Sequence, residues 1–163
     1  MVKLLNERAE HAPAIDQLLD KAFGEARWHK TCQLLRDGRT PRPGLSLVAV
    51  TRNALVGTVR LWTIQAGRRR ALLLGPLAVD PQWRDEGIGA ALMQEALKRA
   101  AAAGEDAVLL VGDAPYYERF GFRSELTRGL TLPGPAEASR FMANELTPGA
   151  FMDAKGPLAP LAS

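Results

Sequence analysis

Gly87 and Gly89 stand in the run Arg84-Asp85-Glu86-Gly87-Ile88-Gly89, between the apolar stretch Ala71 to Val79 and an alanine-rich stretch that ends near Ala103. Strand, glycine loop and helix in that order suit a phosphate-bearing ligand. The glycines remove side chains that would hold the backbone away, and the helix start offers unpaired N–H groups with a partial positive charge. Neighbouring spacings narrow the chemistry. The third glycine of a dinucleotide fingerprint is missing, because Leu92 stands in its place, and the chain has no G-x-x-x-x-G-K-[ST] run of a nucleoside triphosphatase. Cys32 is the single cysteine, so no internal disulfide forms, and no Cys/His cluster has the spacing of a zinc site.

The elements that must position this loop follow from periodicity. Val2 to Leu5 reads as an opening strand, and Pro13 to Phe23 as a helix with Ile15, Leu18, Leu19 and Ala22 on one face, closed by Gly24. A second helical piece is expected over Lys30 to Arg36, before an irregular connection through Pro41, Pro43 and Gly44. The period then changes to two. Leu45 to Thr51, Leu55 to Thr63 and Ala71 to Val79 form an expected antiparallel meander with turns at Arg52-Asn53 and Gly67-Arg68-Arg69. Gly75-Pro76 interrupts the third strand, where proline cannot complete a central ladder, so a bulge or splay is expected there, or else an edge strand ending early.

Gly87 to Ala103 is an amphipathic helix, with Ile88, Leu92, Met93, Ala96, Leu97 and Ala100 on its broad apolar face. Ala107 to Val111 follows as a buried strand, Pro115 to Phe120 as a short helix, and Phe141 to Leu146 as the last strand after a possible one around Leu130. Residues 1–146 are expected to make a single domain and 147–163 a Pro/Gly/Ala-rich C-terminal tail. The fold class is α/β, with a mixed, mostly antiparallel central sheet, a splayed strand pair and flanking helices.

At 163 residues the chain is long enough to bury a core without staples. Met1 to Arg8 has no apolar h-region, and the longest apolar run is far too short to span a bilayer, so neither secretion nor membrane insertion is expected and a reducing cytoplasm is. The net charge of +3 comes from intermixed acids and bases, which makes nucleic-acid binding a background possibility. Arg68-Arg69-Arg70 is a solvated hairpin turn or an anion contact.

Two motifs carry a family likeness. Leu77-Ala78-Val79-Asp80-Pro81-Gln82-Trp83-Arg84-Asp85-Glu86-Gly87-Ile88-Gly89-Ala90 and Tyr116-Tyr117-Glu118-Arg119-Phe120-Gly121-Phe122 together resemble the GNAT superfamily of acyl-CoA-dependent N-acetyltransferases, over about Leu45 to Phe122. The resemblance implies acetyl-CoA as the cofactor. Its pyrophosphate would lie on the N–H groups of Arg84, Asp85, Glu86, Gly87, Ile88, Gly89 and Ala90. Its pantetheine arm would pair with the strand Leu77, Ala78, Val79, where a main-chain N–H near Val79 would face the developing oxyanion. Asp85 and Glu86 are expected to point outward, away from the bound anion.

The resemblance also implies that Tyr117 is the general acid toward the leaving sulfur, with Tyr116 a packing residue. The strand glutamate that many relatives use as a base is replaced here by Leu74-Gly75-Pro76, which leaves Asp113 as the best candidate, either a base or a turn residue after Gly112. Glu25 and His29 lie in the expected substrate-covering segment, water could serve instead, and Cys32 is expected to pack rather than carry an acetyl group.

The function so implied is transfer of acetyl from acetyl-CoA to a primary amine in a ternary complex, with no metal, nucleic acid or membrane partner and a possible homodimer. A non-catalytic acyl-CoA-binding or sensing module is the alternative. The acceptor, a small molecule or a protein amine, would be chosen by Gly24 to Gly44 and Arg123 to Arg140, whose basic residues are more commonly solvated surface charges, though they would tolerate an anionic acceptor.

Overall fold

The computed structural model describes residues 1–161, with the backbone alone at Trp28 and His29. Chain order runs β1 (Lys3–Asn6), α1 (Ala12–Phe23), α2 (Gln33–Arg36), β2 (Leu47–Val50), β3 (Leu55–Ala66) and β4 (Arg69–Val79). It continues with α3 (Ile88–Ala102), β5 (Ala107–Val111), α4 (Ala114–Glu118), β6 (Leu130–Thr131), β7 (Phe141–Glu145) and β8 (Gly156–Pro160). The strands lie in the order β1-β2-β3-β4-β5-β7, antiparallel throughout except for the parallel β4–β5 pair. The expected mixed, mostly antiparallel sheet is therefore present.

Alternation along the strands sorts side chains between two cores. Leu72, Leu74, Val108 and Leu110 face α3, packing on Ile88, Leu92, Met93, Ala96 and Ala100, while Leu73 and Leu109 turn to the other side with Leu35, Trp62 and Phe151. α1 covers the near end of that second side, where Ile15, Leu18 and Leu19 bury against Val48 and Ala78. With apolar side chains on both faces, β4 and β5 read as continuous hydrophobic runs, as central strands must.

Two local irregularities open the sheet. Between the pairs Leu61↔Leu74 and Val59↔Leu77, Arg60 of β3 faces both Gly75 and Pro76 of β4, so the expected bulge lies at this dipeptide. The Trp62 indole N–H holds the Gly75 carbonyl at 2.6 Å. On its other edge β4 pairs β5 only at Leu72↔Val108 and Leu73↔Leu109, after which the two strands part. The expected splay is thus a fork beginning at the bulge.

Three boundaries depart from expectation. The second helix is a single turn from Gln33, because Thr31 and Cys32 are taken up in a turn whose Gln33 N–H donates to Lys30 C=O at 2.9 Å. β3 runs on to Ala66, past the expected end at Thr63. The stretch from Thr147, expected as a tail, instead carries β8, which pairs antiparallel with Ile64, Gln65 and Ala66 of β3 and parallel with β6, burying Leu158 to 3% exposure. The far half of β3 outruns β2 and needs a partner on that edge, which β8 supplies.

Candidate active site

Where β4 ends, Asp80 caps a short 3-10 turn over Pro81–Trp83, its carboxylate accepting the Gln82 N–H at 2.9 Å and the Lys21 ammonium at 3.0 Å. Those two donors hold the carboxyl below its ordinary value. The chain then reverses through Asp85 and Gly87, both at positive φ (68° and 77°), and enters α3. Gly87 caps that helix in the left-handed region, open to glycine at no steric cost.

The first intrahelical bond runs from Ala91 N–H to Gly87 C=O at 3.0 Å, so the N–H groups of Ile88, Gly89 and Ala90 have no acceptor within the helix. No acid lies in the first turn, and Asp85 and Glu86 are solvent-exposed. The Arg84 N–H is turned back to Pro81 C=O in a long 3.5 Å contact, which leaves residues 85–90 as the open part of the loop.

The edge of β4 is equally open. Asp80 N–H donates to Val56 C=O of β3 at 2.8 Å, so the regular alternation of residues 77–79 turns the main-chain groups of Leu77 and Val79 to the opposite edge, which β5 has left. Ala78 belongs to the β3 side of the ladder and buries its side chain under α1.

Between the prongs of the fork lies a cleft of about 600 Å³. Leu77, Asp113 and Tyr117 share its wall, which brings three of the expected site residues together, and Tyr116 stands beside them. Asp113 N-caps α4 through its carbonyl, at 3.1 Å from the Tyr117 N–H, while its carboxylate caps nothing and is exposed. Tyr117 is packed edge-on to Tyr116 and Phe122, with ring centroids 5.0 and 6.1 Å away. A Cβ at Gly112 would collide with its ring, so only glycine admits the tyrosine there. Burial, then Tyr116 and Asp113, push the Tyr117 phenol up to about 12.

Tyr116 joins cleft and loop: a Cβ on Gly89 would stand 3.0 Å from its hydroxyl. It was expected as packing, and its ring does pack on Phe120 at 5.4 Å, but its oxygen hangs over the first turn of α3.

Two connections roof the cleft. One, from Phe23 to Cys32, is latched to the other, around Pro135 to Arg140, by a 2.5 Å hydrogen bond from Thr31 Oγ1 to Pro135 C=O. Glu25, named as a candidate, is exposed outside the lining, and the side chain of His29, also named, lies outside the described residues. Cys32 does line the cleft, but burial raises its thiol above the ordinary range, which disfavours a thiolate nucleophile.

Residue-by-residue inspection of the sequence missed Arg36, Glu137 and Arg140, which also line the cleft. No local motif marks them, since they come from a one-turn helix and a 3-10 turn far apart in the chain. Among the described residues no cluster of His, Cys, Asp and Glu is arranged to hold a metal, and no helix is long and apolar enough to cross a membrane.

Comparison with known proteins matches this architecture. The sequence model of the acetyltransferase (GNAT) domain covers residues 42–124. The chain is 30% identical over 149 residues to the uncharacterized N-acetyltransferase YhbS of Escherichia coli K12, spanning 89% of this chain and 87% of that protein. The crystal structure of Escherichia coli YhbS in complex with CoA superposes with a TM-score of 0.84 at 26% identity, over 98% of this chain and 89% of the other. A GNAT family acetyltransferase from Brucella melitensis in complex with acetyl-CoA gives 0.74 at 25% identity, over 99% and 97%. With the domain's sequence model matched over residues 42–124 and YhbS 30% identical over 89% of this chain, the chain belongs to the GNAT acetyltransferase family.

Proposed function

We propose that the protein is an N-acetyltransferase that moves the acetyl group of acetyl-CoA directly to a primary amine held in the fork between β4 and β5. The observation that carries this is the meeting of two unpaired main-chain surfaces, the β4 edge and the start of α3, at the paired tyrosines. The residues fit the cofactor. Gly87 and Gly89 leave a cradle that larger side chains would fill, and three N–H groups free of acidic neighbours in the first turn suit a diphosphate. Leu77 and Val79 offer the N–H and C=O groups that an amide-bearing arm takes up in sheet-like fashion. Acetyl-CoA supplies a thioester, an acyl group activated toward nitrogen.

What the protein adds is control of protons. An alkylamine with an ordinary pKa near about 10.4 must reach the cleft neutral to react. Lys30 shows what the cleft does to such a group: burial, then Arg36 and Arg140, pull its ammonium below the ordinary value. An acceptor amine beside the same cations meets the same penalty, so its neutral form is favoured. Asp113, exposed on the lining, is placed to take the proton directly or through water. Tyr117 works in the opposite sense. Its raised pKa keeps the phenol protonated at neutral pH, and a proton at Oη is what a departing thiolate requires.

Residues 1–161 act as one acyltransferase unit, with β8 part of the sheet. Calorimetry with acetyl-CoA, followed by thiol release across an amine library, tests the assignment. Binding with turnover of at least one amine class is expected. Failure to bind acetyl-CoA overturns the proposal, and binding without turnover across all classes returns the protein to a sensing role.

A further inference from the structure

Arg36 is the anomaly of the cleft. Its side chain belongs to a residue only 8% exposed, yet among the described residues its sole side-chain hydrogen bond goes from Nη2 to the neutral Gln33 Oε1, at 3.3 Å. Nη1 faces the bulge, 3.3 Å from where a Cβ on Gly75 would be. Among the described residues no carboxylate pairs with it. A guanidinium does not shed its proton, so this charge stays, and a buried charge without a counterion is costly.

Two further cations face the same space. Lys30 rests its ammonium 3.8 Å over the Phe23 ring, and Arg140 spends only Nε, on the Gly112 carbonyl at 3.2 Å. Neither is ion-paired among the described residues, although Asp113 and Glu137 also line the cleft. Three cations have thus been brought together at one wall without an ion pair among the described residues, and Arg36 and Arg140 both disfavour the Lys30 ammonium. Such an arrangement is stable when something anionic completes it.

Taking acetyl transfer in this cleft as given, we infer that the acceptor is a small primary amine that also carries an oxyanion, a carboxylate or a phosphate, held by Arg36 with support from Arg140 and Lys30. A planar guanidinium matches either oxyanion through parallel N–H donors, and a cleft of about 600 Å³ suits a small molecule. Polyamines and amines in basic surroundings are repelled by the same wall. The roles divide cleanly: the anion anchors the acceptor at the bulge, and the amine faces Tyr117 and Asp113.

Matched amines test this. With acetyl-CoA saturating, initial rates of thiol release are compared for 4-aminobutyrate against 4-aminobutyramide, and for phosphoethanolamine against ethanolamine. The first pair reads carboxylate and the second phosphate. In at least one pair the anionic member is expected to win in kcat/KM by about 10- to 100-fold, the worth of one charge-assisted hydrogen bond. Arg36→Gln should bring that ratio close to unity while leaving the Kd for acetyl-CoA unchanged, and Arg36→Lys should restore part of it.

Calorimetry of the CoA-loaded protein with the preferred anionic amine should show the same loss in Arg36→Gln without recourse to turnover. Should that variant fail to fold, Arg140→Gln carries the test, with a smaller drop in the ratio. Equal or better turnover of the neutral members overturns the inference, as does a preference that survives both variants or an absence of turnover with every anionic amine. Loss of acetyl-CoA binding in the wild type would instead overturn acetyl transfer itself.

Discussion

Replacing Tyr117 by phenylalanine removes one oxygen and leaves the ring where it is. The ring is held by Phe122, Tyr116 and the space above Gly112, none of which the substitution touches. Among the described residues the Tyr117 hydroxyl makes no hydrogen bond, so its loss orphans no buried partner, and stability should change by less than about 0.5 kcal/mol. The chemical step should suffer far more. A positioned general acid contributes about 100- to 10,000-fold, so kcat should fall in that range while the Kd for acetyl-CoA holds.

The pH profile supplies a second check. A required acid loses activity as pH rises through its pKa, and with the phenol pushed up to about 12 that loss lies well above neutrality. Wild-type kcat should therefore show no falling limb from this group up to about pH 10. Denaturant melts, calorimetry and single-turnover acetylation measure the three quantities. A variant that keeps half of the wild-type single-turnover rate refutes the proton-donor role. One that loses rate only in step with stability makes Tyr117 a packing residue.

Gly89→Val would push a side chain against the Tyr116 hydroxyl, 3.0 Å from its Cβ, and over the free N–H groups of α3; acetyl-CoA affinity should drop by about tenfold or more in calorimetry, with near-native circular dichroism. Asp80→Asn keeps a capping oxygen but loses the charge facing Lys21. Because the carboxyl is held below its ordinary value, its stabilisation is present above about pH 4 and is lost as pH falls through the depressed value, so a deficit in Tm at neutral pH should narrow progressively in acid. Deleting the chain from Gly156 onward exposes Ile64, Gln65 and Ala66 along β3 and removes buried Leu158; a loss of at least about 2 kcal/mol in urea melts is expected, and an unchanged midpoint would mean that β8 is dispensable.

Local rules explain what the sequence made legible. α3 announces itself by the spacing of Ile88, Leu92, Met93, Ala96 and Ala100, and the loop before it by two glycines, because both depend on residues within a few positions of each other. Gly75-Pro76 likewise forecast the bulge from the missing proline N–H. β8 escaped because Gly156–Pro160 holds two prolines and no alternation; its strand state is conferred by the bare edge of β3, some ninety residues earlier. Arg36 and Arg140 escaped for a related reason. Each sits in an unremarkable polar stretch, and only the fork brings their guanidinium groups to one wall.

The Thr31–Pro135 latch spans 104 positions of sequence yet ties only the roof, not the sheet below. Floor and ceiling of the cavity are consequently separable traits. Exchanging the two roofing strips together with Arg36 between homologous scaffolds is therefore expected to change the preferred acceptor while the Kd for acetyl-CoA holds.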